Sequence, residues 1–231
     1  MNCIARTRDF GKGTVTEFSE TSQEEWPAKW PHKEMFYDVI GTCRSLTDKQ
    51  VKKALNFAMT TWDIEIDVSF HPTWYYTDKK PHITIDFKTS SQEKMFKDSP
   101  SVLAYAYFPG QGEVSGKVVF NDDYIWSMNG KPIRADQAPP ELVKGTPLPD
   151  VQLKTFNIIH VLIHELGHSL GLRHDAHGDT KDVMDPYYSG QLELSDWDLY
   201  RIRLKYPARQ YAKWDWYRRL KNALRLAKAR L

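Results

Sequence analysis

At 231 residues, 41% of them hydrophobic, the chain is long enough for one domain with its own core plus an additional segment. Its 32 Lys and Arg against 30 Asp and Glu leave a formal charge of +2, so the molecule as a whole offers no electrostatic case for nucleic acid. Two cysteines, Cys3 and Cys43, are too few for a disulfide scaffold or a cysteine-zinc site, and no apolar run approaches the roughly 18 residues of a membrane span.

The first 30 or so residues, ending in Trp26-Pro27 and Trp30-Pro31, read as an irregular arm. They contain Arg6 and Arg8 but no apolar stretch like a signal peptide, so the expectation is a soluble chain whose compartment stays open. Met35 to Ile40 reads as a short strand. Thr47 and Gln50 then form a capping box before Val51, Ala54, Leu55, Ala58 and Trp62, which share one face of a helix. Short apolar or alternating runs at Ile64–Phe70, His82–Phe87, Val102–Phe108 and Lys117–Phe120 read as strands, giving a mixed sheet with a helix packed on it.

The five prolines between Asn129 and Asp150 mark a long surface loop. From Val151 to Leu170 apolar residues fall on most sides, as in a helix buried mid-domain, and Gly171 ends it. An irregular stretch through Pro186 and Gly190 leads to a helix capped by Ser195 or Asp196, carrying Leu199, Ile202 and Tyr206 and stopped by Pro207. The last segment sets Trp214, Tyr217, Leu220, Leu224, Ala227 and Leu231 on one face, with Arg218, Arg219, Lys221, Arg225, Lys228 and Arg230 opposite. Such a basic amphipathic helix is either a solvated face docked on the domain or a surface for a membrane, nucleic acid or an acidic partner.

The run His164-Glu165-Leu166-Gly167-His168-Ser169-Leu170-Gly171-Leu172-Arg173-His174 carries the chemistry. Histidines at i and i+4 lie one turn apart on one helix face, so both imidazoles can meet one tetrahedral ion, with Glu165 beside them. A ligand six residues after His168 reaches the same ion only if the chain turns, and Gly171 is free to adopt positive φ. Three imidazoles leave a fourth position for a water of lowered pKa, which Glu165 can deprotonate before passing the proton to a leaving amine. The pattern therefore points to peptide-bond hydrolysis by one catalytic zinc. The competing reading is a buried helix whose histidines satisfy core hydrogen bonds.

This extended motif, followed by Asp182-Val183-Met184-Asp185-Pro186, resembles the metzincins with their Met-turn, and within them most closely the matrixins. The resemblance implies an α+β fold, a twisted mixed sheet with packed helices and an active-site helix, with the cleft between upper and lower subdomains. It implies that Met184 forms a hydrophobic floor under the metal. It also implies that Pro186, Tyr187 and Tyr188 wall the S1′ pocket, favouring apolar P1′ residues, and that Leu103-Ala104-Tyr105 belong to the edge strand that pairs with substrate. His160, one turn before His164, sits where matrixins set S1′ pocket depth; it either shapes that pocket or is a core histidine.

The sequence also departs from matrixins. The positions of two ligands of their second, structural zinc hold Tyr105 and Val119, so a second zinc is not expected. Asn121, Asp122 and Asp123 fall where matrixins place calcium ligands, leaving calcium or a solvated acidic turn as readings. The Pro-Arg-Cys-Gly switch is absent, and Cys3 is free, bridged to Cys43 or, least expected, a zinc-thiolate latch. The division implied is an irregular arm over 1–33, a matrixin-like catalytic domain over 34–207 and a basic helix over 208–231. Expected is a monomeric zinc endopeptidase acting on proteins or peptides; the rival is a non-catalytic peptide-binding or structural protein that kept the fold.

Overall fold

In a computed structural model, residues 3–6, 28–76, 78–143, 151–174 and 182–210 are described. The helix expected after Thr47 is α1 (Asp48–Asp63), with both halves of its capping box formed. The Gln50 N–H donates to the Thr47 hydroxyl at 3.4 Å and the Thr47 N–H to the Gln50 side chain at 2.9 Å, satisfying two N–H groups that the first turn leaves without helical partners. Its apolar face, Val51, Ala54, Leu55, Ala58 and Trp62, is buried as its period requires.

The main sheet has six strands: β1 (Cys3–Arg6), β2 (Glu34–Val39), β3 (Ser69–Pro72), β4 (Ile83–Lys88), β5 (Val102–Ala106) and β6 (Lys117–Asn121). Their order is β1-β5-β6-β4-β2-β3. β3, β2, β4 and β6 run parallel, whereas β5 is antiparallel to both β6 and β1, so the sheet is mixed. Successive residues of β6 serve opposite faces. Val118 and Phe120 join the main core beneath the helices, and Val119 joins a smaller cluster with Phe96, Val102 and Tyr105, to which the short helix α2 (Lys94–Asp98) contributes.

The expected loop over 129–150 contains a strand from one of two small two-stranded sheets that are separate from the main one. β7 (Trp126–Ser127) and β8 (Ile133–Arg134) pair respectively with β10 (Phe156–Asn157) and β9 (Gln152–Leu153). The helix α3 (Ile158–Ser169) therefore begins seven residues later than its apolar pattern suggested. Phe156 is held instead against the rings of Tyr124 and Trp126, at 5.1 and 6.3 Å between centroids, and Asn157 caps the helix by accepting the Ile159 N–H at 2.9 Å. The strand expected from Ile64 starts only at Ser69. Ile64 is the C-cap of α1, and the Ile66 N–H still donates to Trp62 at 3.2 Å.

The arm also differs from expectation, since Cys3–Arg6 is a strand. The last helix among the described residues, α4 (Asp196–Lys205), matches its capping signal at Ser195. From residue 211 onward, the basic C-terminal helix expected over 208–231 lies outside the described residues. Among the described residues, no helix is long and apolar enough to cross a membrane.

Candidate metal centre

α3 lies in the middle of the core, with all twelve of its residues buried. The Trp62 indole N–H donates to the Ile163 carbonyl at 3.1 Å and so ties α1 to the turn that carries His164. At its C-terminus the Gly171 N–H donates to His168 at 2.8 Å and the Leu172 N–H to Gly167 at 2.8 Å, a Schellman closure. Gly171 takes φ 95°, the left-handed conformation that only glycine adopts without strain, and the chain turns back toward its own helix. Two further helix-end carbonyls are satisfied from outside: Ser169 by the Trp30 indole at 2.7 Å and Leu170 by the Tyr206 hydroxyl at 3.1 Å.

This turn brings the third histidine to the first two. His168 Nε2 and His164 Nε2 are 3.0 Å apart, and His164 Nε2 and His174 Nε2 are 3.2 Å apart. A tetrahedral zinc with nitrogens at about 2.0–2.1 Å separates them by roughly 3.3 Å, so this donor set fits that ion. The far side of two rings is fixed as well. His164 Nδ1 donates to the Val183 carbonyl and His168 Nδ1 to the Leu172 carbonyl, each at 2.7 Å, which leaves the lone pairs on the converging Nε2 atoms. Burial above all, then the neighbouring imidazoles, holds both pKa values well below the ordinary histidine range; for His168, Arg201 adds to the effect. Both rings are therefore neutral and able to bind a metal at pH 7. Glu165, next to His164 on the helix, is fully buried.

Met184 is also fully buried, and it fits under α3 because residue 167 is glycine. A Cβ at Gly167 would lie 2.4 Å from Met184 Sδ and 3.1 Å from Trp62. Asp198 at the start of α4 holds this segment in place, accepting the Val183 N–H at 2.8 Å and the Met184 N–H at 3.4 Å. Sequence reasoning did not assign that role; the available sign was Ser195 with an acidic residue three positions on, the spacing of a capping box.

Tyr188 and His160 are brought together. Their rings meet edge to face at 4.9 Å, the Tyr188 hydroxyl accepts the Asn157 N–H at 2.9 Å, and His160 Nδ1 donates to the Gln191 carbonyl at 2.5 Å. Burial lowers the pKa of His160 to about 4. Pro186 and Tyr187 are half-buried beside them, and the Tyr187 N–H donates to Asp185 at 2.8 Å.

Leu103, Ala104 and Tyr105 lie on β5 as expected, but β5 is not the outermost strand. β1 pairs with it antiparallel, Cys3 opposite Ala106, Ile4 opposite Tyr105 and Ala5 opposite Ala104, with an irregularity before Arg6. The Tyr105 side chain belongs to the cluster on the sheet's other face, where it stands in register with Val119 and 5.6 Å from the Phe96 ring. Cys43 is a half-buried free thiol.

The oxygens of the 121–123 turn are already engaged. Asp122 accepts the Arg44 N–H at 3.1 Å and Arg44 Nε at 3.3 Å, and Asp123 accepts Arg44 Nη2 at 3.1 Å and the Ser90 N–H at 2.7 Å. Asn121 donates to Val102 at 3.0 Å and accepts the Asp123 N–H at 3.1 Å. A guanidinium thus supplies the positive charge that the acidic turn calls for.

The matrixin family profile matches residues 29–207 of the chain. Human matrix metalloproteinase-25 is 28% identical over 159 residues, covering 68% of this chain and 24% of that protein. Matrilysin of Felis catus is 30% identical over 191 residues, covering 80% of this chain and 62% of its own length. Karilysin of Tannerella forsythia is 26% identical over 184 residues, 75% of this chain and 33% of that protein. The chain thus spans between about a quarter and three-fifths of the length of these curated relatives.

Proposed function

This chain belongs to the matrixin family, and from that premise we propose that it is a zinc-dependent endopeptidase in which His164, His168 and His174 hold the metal and Glu165 is the general base. The observation that carries the reading is the convergence of three Nε2 atoms at 3.0 and 3.2 Å spacing, with the outward nitrogens of His164 and His168 tied to main-chain carbonyls. Zinc bound there supplies a Lewis acid that polarises the scissile carbonyl and makes water a nucleophile near neutral pH. Glu165 takes the proton from the attacking water as its oxygen bonds to the carbonyl carbon. The same carboxyl then hands that proton to the amine nitrogen as the C–N bond breaks, so the carboxylate is regenerated. Met184, packed against Gly167, holds the helix turn between the first two histidines at a fixed height.

Peptide substrates pair with β5 in the antiparallel sense that β1 adopts, through main-chain hydrogen bonds along Leu103 to Tyr105. A substrate strand therefore displaces β1 from that edge. Tyr188 and His160, with Pro186 and Tyr187, line the P1′ side and favour an apolar residue, since His160 is neutral and its Nδ1 is spent on Gln191. The 121–123 turn is a poor calcium site while Arg44 occupies its carboxylates.

The test compares the chain with its Glu165→Gln variant, measuring zinc content and cleavage of casein side by side. Equal zinc with cleavage lost only in the variant supports the assignment. Undiminished cleavage by Glu165→Gln removes Glu165 from the mechanism.

A further inference from the structure

His164 and His168 are placed by a buried helix, but His174 lies beyond its end, on extended chain that the helix ladder does not hold. The Arg201 side chain reaches this chain from α4. Arg201 is 5% exposed, and its Nη2 donates to the carbonyl of Arg173 at 2.6 Å and, more weakly, to that of His174 at 3.4 Å. Three residues earlier on the same helical face, Asp198 accepts the N–H groups of Val183 and Met184. The buried residues of α4 are Asp198, Arg201 and Ile202, so its inward face is charged. A helix that faces a core with an aspartate and an arginine is weakly amphipathic. It acts by gripping main chain: Arg201 donates to the carbonyls of Arg173 and His174, and Asp198 accepts from the N–H groups of Val183 and Met184.

We propose that Arg201 is the positioning residue for the third metal ligand, its buried guanidinium fixing the Arg173–His174 main chain so that the His174 imidazole meets the other two. The inference rests on the reading of the three histidines as a zinc site. A lysine cannot replace the arginine. Its ammonium keeps the charge but ends a shorter, flexible stem that does not carry a donor as far as Nη2, the nitrogen that serves both carbonyls. Because these two bonds go to main-chain carbonyls and not to the imidazole, their loss loosens the histidine without altering the ligand's chemistry. Supporting groups of this kind typically contribute about 10- to 100-fold to metal affinity.

The experiment uses the full chain, Arg201→Lys and Arg201→Ala. It reads zinc affinity by competition with a chromophoric chelator, the visible absorption of the cobalt-substituted protein, and the melting temperature of the metal-free form. Expected are a zinc dissociation constant raised about 10- to 100-fold in both variants and a cobalt spectrum shifted from that of the three-histidine site. In Arg201→Lys, where the charge and most of the packing remain, the metal-free melting temperature should stay close to that of the unaltered chain. Zinc affinity and cobalt spectrum unchanged in folded Arg201→Lys and Arg201→Ala would overturn the role of Arg201 and leave the zinc site standing. An unaltered chain that bound neither metal would instead remove the zinc reading itself, and this inference with it.

Discussion

His160 is buried, neutral and not one of the three converging ligands, so it allows a quantitative test of the environment around the cleft. Burial sets its folded pKa near 4, against an ordinary value of 6.5. Below pH 6.5 the unfolded chain takes up a proton that the folded chain refuses. Stability is therefore intact above pH 6.5 and falls as the pH drops toward 4. At about 1.4 kcal/mol per pH unit, the interval amounts to about 3 kcal/mol, of which about 2 kcal/mol is lost between pH 7 and 4.5. His164 and His168 add acid lability of the same sign, so the measurement has to be a difference. Urea unfolding followed by tryptophan fluorescence, with chelator present throughout, would compare the chain with His160→Gln, whose amide can still donate toward Gln191. The unaltered chain should lose about 2 kcal/mol more than the variant between pH 7 and 4.5. Parallel losses would show that His160 is protonated in the folded state, and the account of a neutral histidine beside Tyr188 would be wrong.

Other substitutions probe separate contacts. Gly167→Ala drives a methyl into Met184 and should cost about 1–3 kcal/mol in thermal unfolding; an unchanged melting curve would mean that Met184 does not press on α3. Along β1, consecutive N–H groups point to opposite sides, so either Ile4→Pro or Ala5→Pro removes a donor to β5. One of the two should raise the initial rate on a short peptide by freeing the edge, and equal rates in both would place substrate elsewhere. Arg44→Ala leaves the buried Asp122 without its guanidinium and should cost about 2 kcal/mol of unfolding free energy, partly recovered by adding Asp122→Asn.

Much of this site was legible because its signals are local. The spacing of His164, His168 and His174 with Gly171 dictates a helix, a turn and a return, and each is found; α1 is equally explicit in Thr47, Gln50 and its apolar stripe. The misreadings come from partners far away in sequence. Val151, Leu153 and Phe156 look like the first turns of α3, yet short strand pairings with residues around Trp126 and Ile133 claim that segment, and Asn157, a favoured N-cap, was the overlooked sign. The pairing of Cys3–Arg6 with β5 spans about a hundred residues and has no alternating pattern to announce it. In α4, periodicity pointed to an apolar face through Leu199, whereas Asp198 and Arg201 turn inward because the segments they hold offer bare main-chain groups. Hydrophobic pattern does not report such contacts.

The central claim is that three imidazoles hold one catalytic zinc. It is tested most directly by stripping the protein with chelator, confirming that it remains folded, and titrating zinc back while following peptide cleavage. The account predicts that cleavage vanishes on stripping and returns in full at one zinc per chain, with no recovery in His174→Ala at the same zinc level. Cleavage that survives complete removal of metal would contradict it.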